Sequence, residues 1–183
     1  MGLSKTQTNL DFSLIAAINR RLLNANSNGY FFIKDPVKVV IKKAPELDLN
    51  LNLHPEKRVG GRHFKTSQKF ILDIEDFELL EDSKIYRLME CLNFNKLGDK
   101  LEFVSTDLET HKKEGTKIIH WLPQSKENIK VEVLMPDASV IKGIAENTVS
   151  NIKEGDVVQF ERFGFCRLDK IKKGKLSFWF SHK

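Results

Sequence analysis

The sequence predicts an all-β protein in which two antiparallel barrels follow one short helix. Three observations predict this class: one early segment has helical periodicity, short apolar runs separated by turn residues follow it, and residues 28–183 are too many for a single small barrel. Short strands at such spacing are typical of antiparallel sheets that close into barrels. We therefore expect two barrels rather than one.

The predicted helix spans residues 12–24. Asp11 can cap its first turn, and its apolar residues recur at spacings of three and four. The run Asn26, Ser27, Asn28 and Gly29 ends it, because these residues favour turns.

The rest of the chain is predicted to be strands. Residues 30–33 form a compact apolar run, and Pro36 marks the start of the next strand, because proline lacks an N–H and keeps the residue before it extended. The further predicted strands are 37–41, 69–74, 85–92, 101–106, 117–121, 129–135, 157–163, 166–170 and 175–181.

The composition predicts a cytoplasmic protein that is outside membranes and binds no metal. A hydrophobic content of 40% supports a packed core, and 30 Lys and Arg against 25 Asp and Glu give a charge of +5, which fits a polyanion partner but also many unrelated proteins. Cys91 and Cys166 lack CxxC spacing, and the histidines lack HxxH or HExxH spacing. No apolar run approaches the ~20 residues of a membrane helix.

The segment from Gly155 to Asp169 carries the strongest functional signal. Gln159 and Arg162 are side chains that can read the edge of an unstacked base, and the phenylalanines around them can stack on it or pack in a core. In a regular strand the two would point to opposite faces, so spacing alone slightly favours a structural interpretation in which Arg162 pairs with Glu161 or a neighbouring strand. A bulge or bend would bring Gln159 and Arg162 together.

Two polar segments are candidates for contact with phosphate. Residues 57–62 form a predicted basic loop that contains Arg62, and residues 110–115 form a predicted hairpin tip that contains Lys112 and Lys113. Both could equally be solvated turns. His120 lies in an apolar run beside Trp121 and is expected to be a core or interface residue. No phosphate loop, nucleophile elbow or dinucleotide fingerprint is present, so no catalytic residue is predicted.

A colinear set of segments resembles the C-terminal anticodon-binding region of class I glutamyl-tRNA synthetases of the archaeal and eukaryotic type, and of the related glutaminyl enzymes. The segments are Ala17-Ile18-Asn19-Arg20-Arg21, Tyr30-Phe31-Phe32-Ile33-Lys34-Asp35-Pro36-Val37-Lys38, Leu53-His54-Pro55-Glu56 with Gly61-Arg62, Ile74-Glu75-Asp76, Tyr86-Arg87-Leu88-Met89, Lys117-Ile118-Ile119-His120-Trp121-Leu122, Val133-Leu134-Met135-Pro136-Asp137, Gln159-Phe160-Glu161-Arg162-Phe163-Gly164 and Phe178-Trp179-Phe180-Ser181-His182.

The resemblance implies two barrels similar to the ribosomal 5S-rRNA-binding barrel, with a distal barrel inserted into a proximal one. The proximal barrel would use residues 28–72 and 128–183, and the distal barrel residues 73–127. Residues 1–27 would be the end of a helical connector to a catalytic domain that is missing here. The chain alone would then not be an enzyme and would need no cofactor, since ATP and Mg²⁺ belong to the missing domain of the parent glutamate-tRNA ligase.

The resemblance also implies roles for individual residues. Gln159 and Arg162 match side chains that contact the middle anticodon base, which is U for both glutamate and glutamine. Arg87 matches an arginine near the first base. Met89 stands where the family has a second arginine near the first base, which leaves the reading of that base open. Gly29 stands where the family has an arginine, so one contact to the middle base would be absent here or supplied by another residue.

The implied partner is glutamate tRNA, with glutamine tRNA as the alternative, and the protein is expected to be a monomer. Three other functions stay open at this point. The chain could be the C-terminal domain of a glutaminyl-tRNA synthetase, a freestanding ribosomal-type 5S-rRNA-binding barrel, or a protein-interaction domain of a synthetase complex.

Overall fold

The structure is a computed structural model that describes residues 20, 23, 27–54, 56–57, 60–172 and 174–183. The predicted helix 12–24 and the predicted connector 1–27 lie almost entirely outside these residues. Of the helix, the structure describes Arg20 and Leu23, which are both helical. In the described residues no helix is long and apolar enough to cross a membrane.

From Gly29 onward the described chain is mostly strand, which confirms the all-β prediction. The strands in chain order are β1 (Gly29–Tyr30), β2 (Phe32–Ile33), β3 (Pro36–Lys42), β4 (Asp48–Asn52), β5 (Gly61–Lys65), β6 (Lys69–Asp73), β7 (Ile85–Leu88), β8 (Asn93–Leu97), β9 (Lys100–Ser105), β10 (Gly115–Ile119), β11 (Leu122–Pro123), β12 (Ile129–Leu134), β13 (Val140–Ala145), β14 (Val157–Phe160), β15 (Gly164–Lys172) and β16 (Lys175–His182). The helices are α1 (Ile74–Glu78), α2 (Leu108–Glu114) and a 3₁₀ helix at Asn147–Asn151.

The first sheet is a nearly closed barrel with the strand order β1-β14-β15-β16-β12-β13-β2. Its two edge strands, β1 and β2, are separated in sequence only by Phe31. One extended segment therefore pairs with β14 on one side and with β13 on the other. This arrangement leaves the sheet without a free edge at that point, since the same segment satisfies both ends.

The second sheet has the order β10-β7-β8-β9-β3-β6-β11, and its two edge strands are likewise close together in sequence. Its edge strands β10 and β11 are separated in sequence only by His120 and Trp121. A separate hairpin, β4 with β5, lies between β3 and β6 in the chain. Parallel pairing joins β1 to β14, β12 to β16, β3 to β9 and β7 to β10, and the other described pairs are antiparallel.

The sheets divide the chain differently from the predicted domain boundaries. The prediction grouped residues 28–72 with 128–183, but only β1 and β2 of that first stretch join the sheet formed by β12 to β16. Strand β3 pairs with β9 and β6 pairs with β11, so both belong with residues 85–123. The crossover between barrels thus follows Ile33 rather than residue 72.

Alternation along residues 30–33 holds the two barrels together. Successive side chains of a strand point to opposite faces. Tyr30 and Phe32 enter the core of the first barrel, while Phe31 and Ile33 enter the core of the second. Each is at most 3% exposed, and burial of one such side chain contributes ~1.5–3 kcal/mol. One short segment therefore belongs to both cores.

Several local predictions need correction. Residues 110–114 of the predicted hairpin tip lie in helix α2, and Gly115 begins β10. The Asp107 side chain is the N-cap of α2 and accepts a bond from the backbone N–H of Thr110. The predicted strand 85–92 ends at Leu88 and a second strand begins at Asn93. Strands β4, β5, β8, β11 and β13 were not predicted.

Candidate nucleic-acid interface

A cavity of about 310 Å³ opens where the two barrels and the β4–β5 hairpin meet. We call it the junction cavity. Gln159 and Arg162 line it from the first barrel, Met89 and Glu90 from the second, and Asn52 from the hairpin. Its volume is at the lower end of the ~300–1,000 Å³ typical of small-molecule sites.

The strand that carries Gln159 ends before it reaches Arg162. β14 stops at Phe160, residues 161–163 form a turn, and Arg162 has a φ of 64°. Because the strand is broken here, Gln159 and Arg162 do not follow the alternation of a regular strand, and both line the junction cavity. Glu90 on the opposite wall also has a positive φ, 54°. Such backbone costs about 1–3 kcal/mol per residue and clusters at functional sites.

Gln159 presents an uncommitted amide to the junction cavity. Its backbone N–H donates to the carbonyl oxygen of Asn28 over 2.9 Å, and its side chain is half-buried. No hydrogen-bond partner for that side-chain amide is found among the described residues. A primary amide offers two donors and one acceptor oxygen, so Gln159 can still make paired bonds to a ligand.

Arg162 is anchored from behind by the second barrel. Its Nη1 and Nη2 donate to Oδ2 and Oδ1 of Asp76 over 2.7 and 3.0 Å. Lys117 Nζ lies 2.7 Å from Asp76 Oδ1. Burial opposes ionisation of Asp76, but the bonds from Arg162 and Lys117 outweigh it and hold the pKa of Asp76 below its usual value. Arg162 keeps a third of its side chain exposed.

His120 completes this anchor between the barrels. Its Nε2 lies 2.8 Å from the carbonyl oxygen of Phe32, and Arg162 Nη1 lies 3.1 Å from its Nδ1. The carbonyl can only accept, so Nε2 carries the proton and Nδ1 accepts from Arg162. Burial and the neighbouring guanidinium lower the pKa of His120. The side chain is buried and paired, which confirms the expectation of a core or interface residue.

Arg62 is not the exposed loop residue that the sequence predicted. It lies on strand β5 and is 3% exposed. Its Nε and Nη2 donate to Glu146, its Nη1 donates to Glu161 over 2.8 Å, and its guanidinium carbon lies 4.2 Å from the ring centre of Phe31. A buried guanidinium with all three nitrogens engaged cannot hold a phosphate, so the predicted backbone contact is wrong for Arg62.

Glu161 forms part of the same wall as Gln159. Burial raises the pKa of Glu161, and Arg62 opposes that shift. The sequence left open a pairing of Arg162 with Glu161, but the structure pairs Glu161 with Arg62 and Arg162 with Asp76.

The other predicted contact residues lie apart from the junction cavity. Arg87 is buried, and its Nη1 donates to the Asn93 side chain and to the carbonyls of Thr106 and Asp107. Burial lowers the pKa of Arg87. Lys112 and Lys113 are exposed on α2, and Lys112 pairs with Glu109 over 2.8 Å. No group of three or more His, Cys, Asp or Glu suited to a metal ion occurs in the described part of the chain.

Sequence reasoning assigned no role to Asp76, Lys117 or Glu146. Asp76 and Arg162 are separated by 86 residues, and Arg62 and Glu146 by 84. No local spacing links such pairs. Asp76 follows Glu75 and lies close to Glu78, so its local sequence does not mark it as a buried carboxylate that needs a cation.

Comparison with known families decides the identity of the fold. Two family models, both described as the anti-codon binding domain of class I tRNA synthetases (E and Q), match residues 27–111 and 118–169. The chain belongs to this family. The anticodon-binding domain therefore spans both barrels, and the junction cavity lies between its two halves.

Similar curated proteins are glutamate-tRNA ligases of archaea. The chain is 35% identical to the one from Pyrococcus furiosus over 193 residues, which covers 100% of this chain and 33% of the relative. It is 34% identical to that of Pyrococcus abyssi with the same coverage. The ligase of Methanocaldococcus jannaschii is 34% identical over 93% of this chain and 31% of its own length. The chain thus spans about a third of the length of these relatives.

Proposed function

We propose that this chain binds the anticodon loop of glutamate tRNA and serves as the anticodon-binding part of a longer glutamate-tRNA ligase. The observation that carries the proposal is the junction cavity, because Gln159, with its free amide, and Arg162, with its anchored guanidinium, both line it between two barrels of an anticodon-binding domain. Glutamine tRNA is the alternative ligand, since the family description covers both amino acids.

Recognition would use a base that is turned out of the anticodon loop. The middle base, U, offers two carbonyl oxygens and one N–H, and the Gln159 amide can both donate and accept. Arg162 supplies only donors. Because Asp76 and His120 hold its outer nitrogens, the guanidinium is oriented before the ligand arrives, which lowers the cost of ordering it on binding.

Gly29 keeps one side of the junction cavity open. A side chain added there would meet Glu161 Oε1 at 3.2 Å. The arginine that relatives are expected to carry at this position would thus start beside a carboxylate. In this chain Glu161 is neutralised by Arg62 instead, so the middle base would be held by Gln159 and Arg162 without a second cation.

The remaining predicted roles belong to the same proposal. Arg87 would act near the first anticodon base, and Lys112 and Lys113 on α2 would contact phosphates. Residues 1–27 would lead to a catalytic part in which the parent enzyme binds ATP and Mg²⁺ and attaches glutamate to tRNA. The parent enzyme would work in the cytoplasm, and this chain would act as a monomer.

Binding of two tRNAs to this chain tests the proposal. One carries a glutamate anticodon and the other has its middle U replaced by C. We expect wild type to prefer U by about 5- to 150-fold, the equivalent of ~1–3 kcal/mol, and Gln159→Ala to lower that preference about fivefold. Gln124→Ala, an exposed glutamine elsewhere, is the matched control. Equal binding of the two tRNAs by wild type would overturn the proposal.

A further inference from the structure

The outer face of the first barrel carries an exposed apolar row. Strands β15, β16, β12 and β13 are neighbours in the sheet, and their register aligns Arg167, Trp179, Leu134 and Val140 across it. The three apolar side chains are 49%, 41% and 48% exposed. Exposed apolar residues that lie next to one another on a soluble domain often mark an interaction surface.

The same face is strongly basic. Lys172, Lys175 and Lys130 stand side by side two rungs away from Trp179. Lys170 and Lys142 lie on the rung between, where Glu132 is the carboxylate in register. The six cations of this face are Arg167, Lys130, Lys142, Lys170, Lys172 and Lys175. Of these six, only Lys142 and Lys175 have an ion pair with another described residue, and both pair with Glu132.

Four lysines of this region line one groove. A cavity of about 430 Å³ lies against Lys34, Lys130, Lys142 and Lys175, and the carboxylates of Asp35 and Glu132 are also in its lining. Lys34 is held there by its ion pair with Glu75. A concave site lined by several ammonium groups concentrates positive potential and attracts a phosphate chain.

We infer that this outer face is a second RNA-binding surface, which takes a single-stranded segment with its phosphates on the lysines and one base stacked on Trp179. The alignment fits a chain of nucleotides, because Lys175 and Trp179 are four residues apart on one strand, or about 13 Å at ~3.3 Å per residue. A single phosphate could occupy the lysine groove but could not also reach the indole.

The charge of the face argues for RNA over a protein partner. An apolar protein surface would cover Trp179, Leu134 and Val140 but would leave the unpaired cations beside them desolvated. Single-stranded RNA satisfies both features, since bases stack on aromatic rings and phosphates neutralise lysines. The inference goes beyond the proposed function, because no residue of the junction cavity and no anticodon base takes part.

Stacking is tested with an oligoadenylate of about 12 nucleotides, which contains no glutamate anticodon. We expect this chain to bind it and Trp179→Leu to weaken that binding about tenfold, since leucine keeps the apolar contact but loses the stacking plane. Trp179→Phe keeps a ring and should stay within about threefold of wild type. Because the Trp179 side chain is half exposed, both variants should unfold at the same temperature as wild type.

The salt dependence tests the lysines. For single strands each phosphate contact contributes about 0.7 to the slope of log affinity against log salt. Joint replacement by Lys130→Ser and Lys170→Ser should therefore lower the slope by about 1.4. Lys38→Ser with Lys69→Ser, two exposed lysines of the second barrel, should leave it unchanged.

The outcomes separate this inference from the proposed function. Oligoadenylate binding that is absent in wild type or unchanged in Trp179→Leu overturns the second surface, as does an unchanged salt slope in the lysine variant. Gln159→Ala should leave oligoadenylate binding intact. Equal binding of the two tRNAs by wild type would count against the junction cavity alone.

Discussion

Arg62 and Arg162 both line the junction cavity, yet they differ in what their guanidinium groups are free to do. Arg62 is 3% exposed, and its three guanidinium nitrogens all donate to Glu146 or Glu161. Arg162 keeps a third of its side chain exposed and is held from one side by Asp76. An arginine closed on all sides supports the fold, whereas one anchored from behind can present its remaining donors to a ligand.

The largest expected effect on stability comes from removing Arg62 from its ion pairs with Glu146 and Glu161. Arg62→Met leaves the Glu146 carboxylate, whose side chain is 1% exposed, buried without its cation. We expect the free energy of unfolding to fall by about 3–5 kcal/mol, because an uncompensated buried charge is far costlier than a lost surface pair. Urea unfolding followed by fluorescence measures it.

A second variant serves as the control for Arg62. Adding Glu146→Gln to Arg62→Met removes the orphaned charge. The amide oxygen can still accept from the Phe31 N–H, and the Thr148 hydroxyl, which donates to the other oxygen of Glu146, can instead accept from the amide NH2. The double variant should recover part of the loss. A loss below about 1 kcal/mol in Arg62→Met would show that Arg62 is solvated and would reopen its role as a phosphate ligand.

Removing the Arg162 side chain should weaken tRNA binding more than it lowers the stability of the fold. Arg162→Ala removes a donor from the cavity, and we expect the affinity for glutamate tRNA to fall by about 1–3 kcal/mol. Its unfolding free energy should fall less than in Arg62→Met, because Asp76 keeps Lys117 at 2.7 Å. Calorimetric titration with tRNA and urea unfolding give the two values.

Asp76→Asn tests whether Asp76 positions Arg162. Asp76 does not line the junction cavity, so it can affect the middle base only through Arg162. We expect Asp76→Asn to lower tRNA affinity, and the double variant with Arg162→Ala to be no worse than Arg162→Ala alone. Additive losses would contradict a positioning role.

The difference between the two arginines could not be predicted from the sequence, although much of the fold could. Period-two alternation identifies β12, where Val131 and Val133 are buried and Lys130 is exposed. By contrast, β13 contains Gly143, which suggests a turn but is required because a Cβ there would lie 2.2 Å from the Ile33 carbonyl oxygen. That constraint comes from a strand distant in the chain.

The site shows the same limit. The Gly155 to Asp169 segment identifies Gln159 and Arg162, because their residue types carry chemistry locally. Whether a basic residue is free depends on its partners, and those of Arg62 lie 84 and 99 residues away. The barrel boundaries were misplaced for the same reason, since β3 and β9 pair across residues that no local pattern relates.

Gln159 should separate binding from stability most cleanly. Its amide has no hydrogen-bond partner among the described residues, so Gln159→Ala should change the unfolding free energy by less than about 0.5 kcal/mol. Affinity for glutamate tRNA should fall by about 1 kcal/mol, the value of one neutral hydrogen bond. A stability loss as large as that of Arg162→Ala would mean that the amide has a structural partner instead.

The ion pairs of Arg162 and those of Arg62 should also differ in how they respond to pH. The pKa of His120 is lowered by burial and by Arg162, so the unfolded chain takes up this proton first as pH falls below about 6.5. Wild type should lose stability between pH 7 and 5 by at most about 1.4 kcal/mol per pH unit, and His120→Gln should lack that loss. In the Arg62 network the sign is opposite, because the pKa of Glu161 is raised by burial and the folded chain takes up that proton first, at more acidic pH. The test measures the unfolding free energies of wild type, His120→Gln and Glu161→Gln across this pH range. Parallel curves for wild type and His120→Gln would show that His120 does not titrate as its role in anchoring Arg162 requires.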